Sequence, residues 1–314
     1  MKRKALTLVT PVYNEQEVIE RFYLRTREVL RALEGRYRTR MLFVVDRCTD
    51  DTLAILRRVA TDDPDAQVLA LSARFGHQMS LLAGIDAARD ADVIIMMDSD
   101  LQHPPSLIPA LLERYELGDE IVHTIRKDTE GGHLIRRVLG NLFYHTLSIV
   151  SRTNITANAA DFRLISGRVA KILRHQIRER NLFLRGIFAW IGFQQGSVNY
   201  VAAKREGGRT KYSFGRMLNL AAAGILSFST KPLQLSIIVG ISLAVFGFLI
   251  GIYAVWEYFV SSDLPSGWTT LVTLLVFFSG IQLIFMGIIG IYIGGIYEEV
   301  KGRPHYIVEQ RINI

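Results

Sequence analysis

Two long apolar stretches near the C-terminus constrain this chain more than any other feature of its sequence. Residues 233–260 and 268–297 are almost entirely apolar, and the only charged side chains from 233 to 297 are Glu257 and Asp263. Each stretch exceeds the roughly 20 residues that a helix needs to cross the hydrocarbon core of a bilayer. Helices buried in a soluble core are the alternative, but these rarely reach such a length without a charged face. The sequence therefore predicts two membrane-spanning helices.

The link between the two stretches predicts an antiparallel hairpin with a defined orientation. Residues 261–267 contain Pro and Gly but no Lys or Arg, whereas Lys231, Lys301 and Arg303 flank the opposite ends of the two stretches. Positive residues are retained on the cytoplasmic side of membranes. We therefore expect both termini and the whole N-terminal part of the chain to be cytoplasmic.

The N-terminal part alternates short apolar runs with helical patterns. Runs rich in β-branched residues predict strands, and apolar residues at helical spacing predict the helices between them. The predicted strands are 6–12, 41–45, 68–71 and 93–97, and the predicted helices are 18–33, 51–60 and 78–88. This alternation indicates an α/β fold with a doubly wound, mostly parallel sheet. Ligands bind such sheets beyond the carboxyl ends of the strands.

Two further helices are predicted to lie in the membrane surface. Residues 134–150 combine apolar side chains with Arg136 and Arg137, and an apolar, small-residue helix precedes the first long stretch directly. Basic amphipathic helices beside a membrane usually lie in its surface, and ordinary packing within the domain is the alternative. The predicted organisation is an α/β domain over 1–212, an amphipathic juxtamembrane helix over 213–230, two transmembrane helices within 231–299, and a tail over 300–314.

Two acids follow the last predicted strand of the sheet. Residues 98–100 read Asp-Ser-Asp, within Met-Met-Asp-Ser-Asp-Leu-Gln-His-Pro-Pro. Carboxylates two residues apart at a strand end can converge on one hard divalent cation, which prefers oxygen ligands and shares them with substrate phosphates. Capping of the following helix is the alternative. The wider pattern favours a site for Mg²⁺ or Mn²⁺ held by Asp98 and Asp100 with a diphosphate.

Polar residues also follow the first two predicted strands. Residues 10–15 read Thr-Pro-Val-Tyr-Asn-Glu, and residues 46–52 read Asp-Arg-Cys-Thr-Asp-Asp-Thr. Helix capping would need only one oxygen, whereas Asp46 can also accept hydrogen bonds from the edge of a nucleotide base. All three polar clusters are therefore expected at one edge of the sheet.

The order of these motifs resembles family 2 glycosyltransferases of the GT-A fold. The motifs that carry the resemblance are 11–15, 46–52, 71–78 and 98–105. Further segments look like the polyprenyl-phosphate branch of that family, namely 161–164, 179–186 and 205–212. The two apolar stretches resemble the bacterial bactoprenol-phosphate members, so the resemblance covers essentially the whole chain.

The resemblance implies an activity and a location. The activity is inverting transfer of a sugar from a nucleotide diphospho-sugar, UDP-glucose or a related UDP-sugar, to undecaprenyl or another polyprenyl phosphate. The location is the cytoplasmic face of the bacterial inner membrane, where a multi-pass protein would serve cell-envelope glycan synthesis or lipopolysaccharide modification.

The resemblance also implies roles for individual residues. Those expected to line the nucleotide pocket are Pro11, Tyr13, Glu15 and Asp46, and Gln102 is expected near the metal ligands. Asp161 matches the acid suggested as catalytic base, and Asp100 is expected to be catalytic as well as a ligand. The residues expected near the phosphates of the substrates are Arg185, Arg205, Arg209 and Lys211, and Tyr212 is expected to bind substrate as well. The planar guanidinium of Arg is well suited to phosphate oxygens.

Two points stay open at this stage. The family usually has Asp-Asp-Gly-Ser where this chain has Val45-Asp46-Arg47-Cys48, so one acid and the Gly are missing and the base of the donor is undetermined. A phosphate monoester with a second pKa near 6 is largely anionic at neutral pH. Asp161 therefore either takes a proton or orients a substrate.

Other classes of protein fit the sequence less well. A processive polysaccharide synthase would carry a Gln-x-x-Arg-Trp segment, and Trp190, the only Trp before the apolar stretches, does not end one. The altered segment at Asp46 allows a non-catalytic nucleotide-sugar or lipid-binding protein, but the pair of acids at 98 and 100 disfavours it. The net charge of +7 suits an anionic membrane surface, so no nucleic-acid partner is expected. Glycines at 287, 290, 294 and 295 would allow close helix packing in a homo-oligomer.

Overall fold

A computed structural model describes residues 3–127, 159–180, 182–201, 231–260 and 267–314. The chain divides into two compact units, Met1–Ser213 with Arg303–Ile314, and Phe214–Gly302. The first unit contains a single mixed sheet with helices, and the second contains two long helices. The helices predicted over 134–150 and 213–230 lie outside the described residues.

The first unit alternates strands and helices in the predicted order. Its strands are β1 (Lys4–Val12), β2 (Tyr37–Val45), β3 (Ala66–Leu71), β4 (Val93–Met96), β5 (Ile121–Lys127), β6 (Ala159–Ser166), β7 (Gln195–Val201) and β8 (Val308–Ile312). Its helices are α1 (Ile19–Ala32), α2 (Thr52–Asp62), α3 (His77–Ala87), α4 (Ile108–Glu116), α5 (Gly167–His175) and α6 (Leu184–Trp190). The first four strands and first three helices confirm the sequence prediction.

The sheet has the strand order β7-β5-β6-β4-β1-β2-β3-β8. Its centre is parallel, because β1 pairs in parallel with β2 and β4, and β2 with β3. Strand β6 runs antiparallel between β4 and β5, and β5 pairs in parallel with β7. The predicted α/β sheet of the GT-A class is confirmed, with antiparallel strands added on both sides of the parallel centre.

Helices cover both faces of the central strands, so successive side chains enter two different cores. On β1, Leu8 belongs to one hydrophobic cluster and Val9 to the other, and both are fully buried. Helix α3 packs closely on β1 because Gly84 has no side chain: a Cβ there would lie 2.2 Å from Val9 Cγ1. Gly84 therefore allows α3 to pack tightly against β1 and β2.

The C-terminal residues form a strand that the sequence pattern does not predict. Strand β8 pairs antiparallel with β3 at the sheet edge. Ser72 N donates to Ile307 O at 2.9 Å, and Tyr306 Oη donates to Asp86 Oδ2 at 2.7 Å. The residues after the second long helix therefore complete the sheet of the first unit.

The second unit contains helices α7 (Lys231–Val260) and α8 (Trp268–Val300). Within them, Ser236–Tyr253 and Thr273–Val300 are long and apolar enough to cross a membrane, and neither window is buried by protein. Exposed apolar side chains occur all around both helices, for example Ile241 at 61% and Leu283 at 67% exposure. Such all-round apolar surface is typical of helices whose solvent is lipid.

Candidate active site

The carboxyl ends of β1, β2 and β4 open into a cavity of about 250 Å³. The cavity is lined by Pro11, Val12, Tyr13, Glu15, Asp46, Arg74, Gly76, His77, Ser80, Asp98, Ser99 and Asp100. All three polar clusters expected at one edge of the sheet thus meet around one space. A second cavity, of about 270 Å³, lies between α3 and β8 and contains none of the predicted site residues in its lining.

Hydrogen bonds between two loops build one wall of the cavity. Asn14 Nδ2 donates to Thr49 Oγ1 at 2.9 Å, and Thr49 N donates to Asn14 Oδ1 at 2.8 Å. Glu15 N donates to Thr52 Oγ1 at 2.9 Å. Helices α1 and α2 have no side-chain cap at their N-termini. These polar residues therefore join the loops after β1 and β2 to each other instead of capping the helices.

Asp46 holds the loop before α3. Its Oδ1 accepts from Phe75 N at 2.6 Å and its Oδ2 accepts from Gly76 N at 2.9 Å. Gly76 has a φ of +93°, which a residue with a side chain rarely adopts. Each carboxylate oxygen can accept a further hydrogen bond. Asp46 therefore shapes the cavity through these backbone contacts and still has acceptor capacity for a ligand.

Arg47 occupies the position where the family pattern has Gly. Its φ of +28° is unusual for a residue with a side chain. The guanidinium Nη1 donates to Ser72 O at 2.5 Å. Arg47 therefore has a positive φ in this chain and adds a hydrogen bond to the loop before α3.

Arg74 lines the cavity, although the sequence did not single it out. Its guanidinium lies 4.1 Å from the ring centroid of Tyr13, a cation–π contact. The contact joins the loop after β1 to the loop before α3. The position of Arg74 within the 71–78 motif was the one sequence signal that it could belong to the site. Its contact with Tyr13 could not be predicted, because the two residues are far apart in sequence.

Two histidines hold Asp98. His77 Nε2 lies 2.8 Å from Asp98 Oδ1, and His103 Nε2 lies 3.8 Å from Asp98 Oδ2. Burial alone would raise the pKa of Asp98, but interactions with His103 and His77 outweigh it and hold that pKa well below its usual range. Burial lowers the pKa of His77, but Asp98 raises it more, and the net shift is upward. Asp98 is therefore an anion at neutral pH.

The donor set around Asp98 and Asp100 suits a hard cation. Both carboxylates line the cavity, and Asp100 Oδ1 also accepts from Gln102 N at 3.1 Å. The 3₁₀ helix that follows, Pro105–Leu107, has no side-chain cap. Across the described ranges no three His, Cys, Asp or Glu side chains converge as a metal site. Mg²⁺ commonly takes only one or two carboxylates and completes its shell with water and substrate phosphates, so two acids fit such an ion.

Asp161 forms a bidentate ion pair with Arg185. Arg185 Nε and Nη2 each donate at 2.8 Å, one to each carboxylate oxygen, and Arg163 Nη2 lies 3.3 Å from Oδ1. Burial opposes ionisation of Asp161, but Arg185 prevails and lowers its pKa. In the antiparallel pairing of β6 with β4, Arg163 lies opposite Met96, which places Asp161 beside the carboxyl end of β4, where the cavity opens. Four predicted residues lie outside the described ranges: Arg205, Arg209, Lys211 and Tyr212.

Comparison with known proteins identifies relatives over almost the whole chain. The model of glycosyl transferase family 2 matches residues 7–173. The SfII prophage-derived bactoprenol glucosyl transferase of Shigella flexneri is 37% identical over 305 residues, which cover 97% of this chain and 97% of that protein. The uncharacterized glycosyltransferase YkcC of Bacillus subtilis (strain 168) is 37% identical over 308 residues, covering 98% of this chain and 94% of that protein.

Among solved structures, glucosyl-3-phosphoglycerate synthase from Mycobacterium tuberculosis is similar over 72% of this chain and 79% of that chain, with 19% identity and a TM-score of 0.49. The family model covers more than half of the chain, and the relatives in Shigella flexneri and Bacillus subtilis align along nearly all of it. This chain therefore belongs to glycosyltransferase family 2 and is a glycosyltransferase.

Proposed function

We propose that this protein transfers a sugar from a nucleotide diphospho-sugar to a polyprenyl phosphate, with inversion at the anomeric carbon. The observation that carries the proposal is the cavity at the strand ends, where Asp46, Asp98 and Asp100 lie together. A chain with this cavity also has two apolar helices of membrane-spanning length. The name of the Shigella flexneri relative supports glucose as the sugar and bactoprenol phosphate as the acceptor.

The donor would bind with its base at one end of the cavity and its diphosphate at the other. The first end is lined by Asp46, Tyr13 and Arg74. Asp46 offers carboxylate oxygens that can accept hydrogen bonds from the base, and the stacked guanidinium of Arg74 and ring of Tyr13 offer flat surfaces beside it. Asp98 and Asp100 lie at the second end. A divalent ion, Mg²⁺ or Mn²⁺, held by these two acids would neutralise charge on the departing diphosphate. UDP is the expected nucleotide.

The acceptor chemistry requires little proton transfer. The phosphate oxygen of the lipid forms a bond to the anomeric carbon as the bond from that carbon to the diphosphate oxygen breaks, and the bonding electrons leave with the nucleotide. Because a phosphate monoester is largely dianionic at neutral pH, its oxygen is already nucleophilic. Asp161 has both oxygens bonded to Arg185. We therefore assign Asp161 the task of orienting Arg185 toward phosphate, not the task of general base.

The acceptor also explains the membrane helices. A polyprenyl chain stays in the bilayer, so its phosphate remains at headgroup level and the enzyme must come to it. Helices α7 and α8 would anchor the protein in the bacterial inner membrane with the first unit on the cytoplasmic side. The glycines at 287, 290, 294 and 295 of α8 would allow close helix packing in a homo-oligomer. The molecular mass of the purified protein in solution tests for such an oligomer.

The decisive experiment supplies purified full-length protein with UDP- and GDP-sugars and undecaprenyl phosphate, and separates the lipid products by mass. We expect one hexosyl lipid from a UDP-sugar, lost with chelator and in Asp100→Asn. Asp90→Asn is the matched control, since Asp90 is exposed and bound to Arg38 and Arg40. Nucleotide-sugar binding without any lipid product would instead indicate a non-catalytic binding protein.

A second measurement separates the two roles of Asp161. Loss of a general base typically lowers the rate by roughly 10²- to 10⁴-fold and removes the acidic limb of the pH profile. For an orienting role we expect Asp161→Asn to lower turnover by less than about 100-fold with an unchanged pH profile. A larger loss of turnover in Asp161→Asn, together with a changed acidic limb of the pH profile, would show that Asp161 acts as the general base.

A further inference from the structure

His103 connects the end of β4 to the outermost strand on that side of the sheet. Its Nδ1 lies 2.8 Å from the hydroxyl of Tyr200, which is on β7. The imidazole also lies 5.5 Å, centroid to centroid, from the ring of Phe162 on β6. His103 is 9% exposed and Tyr200 is 5% exposed. The ring is therefore held from two strands and has little freedom to turn.

The contact with Tyr200 determines which nitrogen of His103 carries a proton toward Asp98. Burial raises the pKa of Tyr200 to about 12, so its hydroxyl stays protonated and can donate to Nδ1. A neutral imidazole that accepts at Nδ1 carries its hydrogen on Nε2. Nε2 is the nitrogen that lies 3.8 Å from Asp98 Oδ2. Tyr200 thus turns an N–H of His103 toward Asp98.

We propose that His103, fixed by Tyr200, is a positioning residue that orients Asp98 for binding a divalent cation. His77 holds Oδ1 of the same carboxylate at 2.8 Å, so each oxygen of Asp98 faces one imidazole while Asp98 lines the cavity. Groups in the second layer around a metal ligand fix its direction, and their loss typically weakens metal binding by roughly 10- to 100-fold. The inference rests on the proposed function, because it takes Asp98 to be a cation ligand.

A second buried histidine offers a matched comparison. His123 on β5 is 5% exposed, close to the value for His103. Its Nε2 lies 2.8 Å from Gln195 Oε1 and so faces an amide where His103 faces a carboxylate. A general effect of removing a buried imidazole would appear in both His103→Gln and His123→Gln, whereas a positioning effect on Asp98 would appear only in the first.

The test measures Mn²⁺ binding to the full-length protein with saturating UDP, from the electron paramagnetic resonance signal of free Mn²⁺. We expect His103→Ala to weaken Mn²⁺ binding by about 10- to 100-fold and Tyr200→Phe to weaken it by a smaller factor. His103→Gln should recover part of the loss, because its amide can place an N–H near Asp98. His123→Gln should bind Mn²⁺ as the unchanged protein does.

The outcomes distinguish this inference from the proposed function. If Asp100→Asn abolishes Mn²⁺ binding while His103→Ala and Tyr200→Phe leave it unchanged, the positioning role is wrong and the cation site stands. If Asp100→Asn also binds Mn²⁺ normally, the cation site itself is wrong. UDP binding without metal serves as the control for the fold. Equal loss of metal-free UDP binding in Tyr200→Phe would indicate general damage and overturn the positioning role.

Discussion

The two units of this protein use similar apolar residues in opposite ways. Strand β4 reads Val-Ile-Ile-Met and is completely buried, whereas Ile241 of α7 is 61% exposed. A strand needs neighbouring strands for its backbone hydrogen bonds, and its apolar side chains are covered by the same neighbours. A helix satisfies its backbone internally and can face lipid on all sides. The short apolar run of β4 is therefore covered by protein, whereas runs as long as those in α7 and α8 are long enough to be covered by lipid.

The comparison also shows that the candidate active site and the apolar helices belong to different units of the chain. Every residue that lines this cavity belongs to the first unit and lies at a strand end, in a loop after a strand or at the start of α3, because strand ends bring side chains from distant parts of the sequence to one edge. Helices α7 and α8 are charge-free over 236–253 and 273–297. Three predictions, each with a control, test this division, beginning with the largest expected effect.

Replacing Ile95 by Asp should abolish the fold of the first unit. Ile95 is 0% exposed on β4, and an unpaired buried carboxylate costs several kcal/mol, comparable to the roughly 5–15 kcal/mol that stabilises a domain. We expect loss of the protease-resistant fragment that contains the sheet. Limited proteolysis of the full-length protein in detergent measures this result.

The matched variant is Ile241→Asp, near the middle of the first apolar window. We expect it to disfavour membrane insertion by about 2.5–3.5 kcal/mol while the sheet keeps its protease resistance. The measurement is the fraction of protein in washed membranes. Loss of the protease-resistant fragment in Ile241→Asp would contradict the separation of the two units.

Acid should loosen the first unit through His123. Burial, and then the charge of Arg163, lowers the pKa of His123 to about 4 from 6.5. The unfolded chain therefore takes up a proton first, and stability that is complete above pH 6.5 falls as the pH drops toward 4. The loss amounts to about 3 kcal/mol for this shift. Urea-dependent proteolysis of the sheet unit at several pH values measures it.

His123→Gln should flatten this pH dependence, because Gln does not titrate. The stretches 236–253 and 273–297 contain no Asp, Glu, His, Lys or Arg. The circular dichroism signal of α7 and α8 should therefore persist over the same pH range. An equally steep loss of stability in His123→Gln would show that other groups cause the acid sensitivity.

The smallest of the three effects is expected at the C-terminal strand. Tyr306 follows the second long helix in sequence but donates a hydrogen bond to Asp86 of the first unit at 2.7 Å. A hydrogen bond to a charged acceptor contributes roughly 2 kcal/mol, so Tyr306→Phe should lower the stability of the sheet by about that amount. Urea-dependent proteolysis of the sheet fragment gives the value.

Tyr297→Phe is the control, since Tyr297 is 60% exposed on α8 and a change at an exposed site usually lies within about 0.5 kcal/mol. If Tyr306→Phe were as neutral as this control, the hydrogen bond between Tyr306 and Asp86 would contribute little to the stability of the sheet.

Local patterns in the sequence were sufficient for much of the fold. Strands β1 to β4 and helices α1 to α3 follow from runs and periodicities of fewer than twenty residues. The position of Asp98 and Asp100 at a strand end follows from the same local reading. Strand β8 could not be predicted, because its residues alternate weakly and its partner β3 lies far away in sequence. The length and the apolar composition of the two C-terminal stretches were sufficient to predict α7 and α8.

The contacts between site residues needed the tertiary structure. His103 and Tyr200 are 97 residues apart in sequence, and Asp161 and Arg185 are 24 apart. Nothing in local periodicity encodes such pairs, because they depend on which strands become neighbours. Arg74 against Tyr13 is a third example. The two histidines that face Asp98 were therefore left without a role, and Arg185 was predicted near phosphate without its partner Asp161.

By itself, the sequence determined the apolar helices, the alternating α/β pattern and the acids at the strand ends, because each depends on residues close together in the chain. Only the tertiary structure decided that two imidazoles face Asp98, that Arg185 occupies both oxygens of Asp161 and that the C-terminus completes the sheet. The physical reason is that hydrogen bonds and ion pairs act over a few ångströms in space. Strand order alone determines which distant residues come that close.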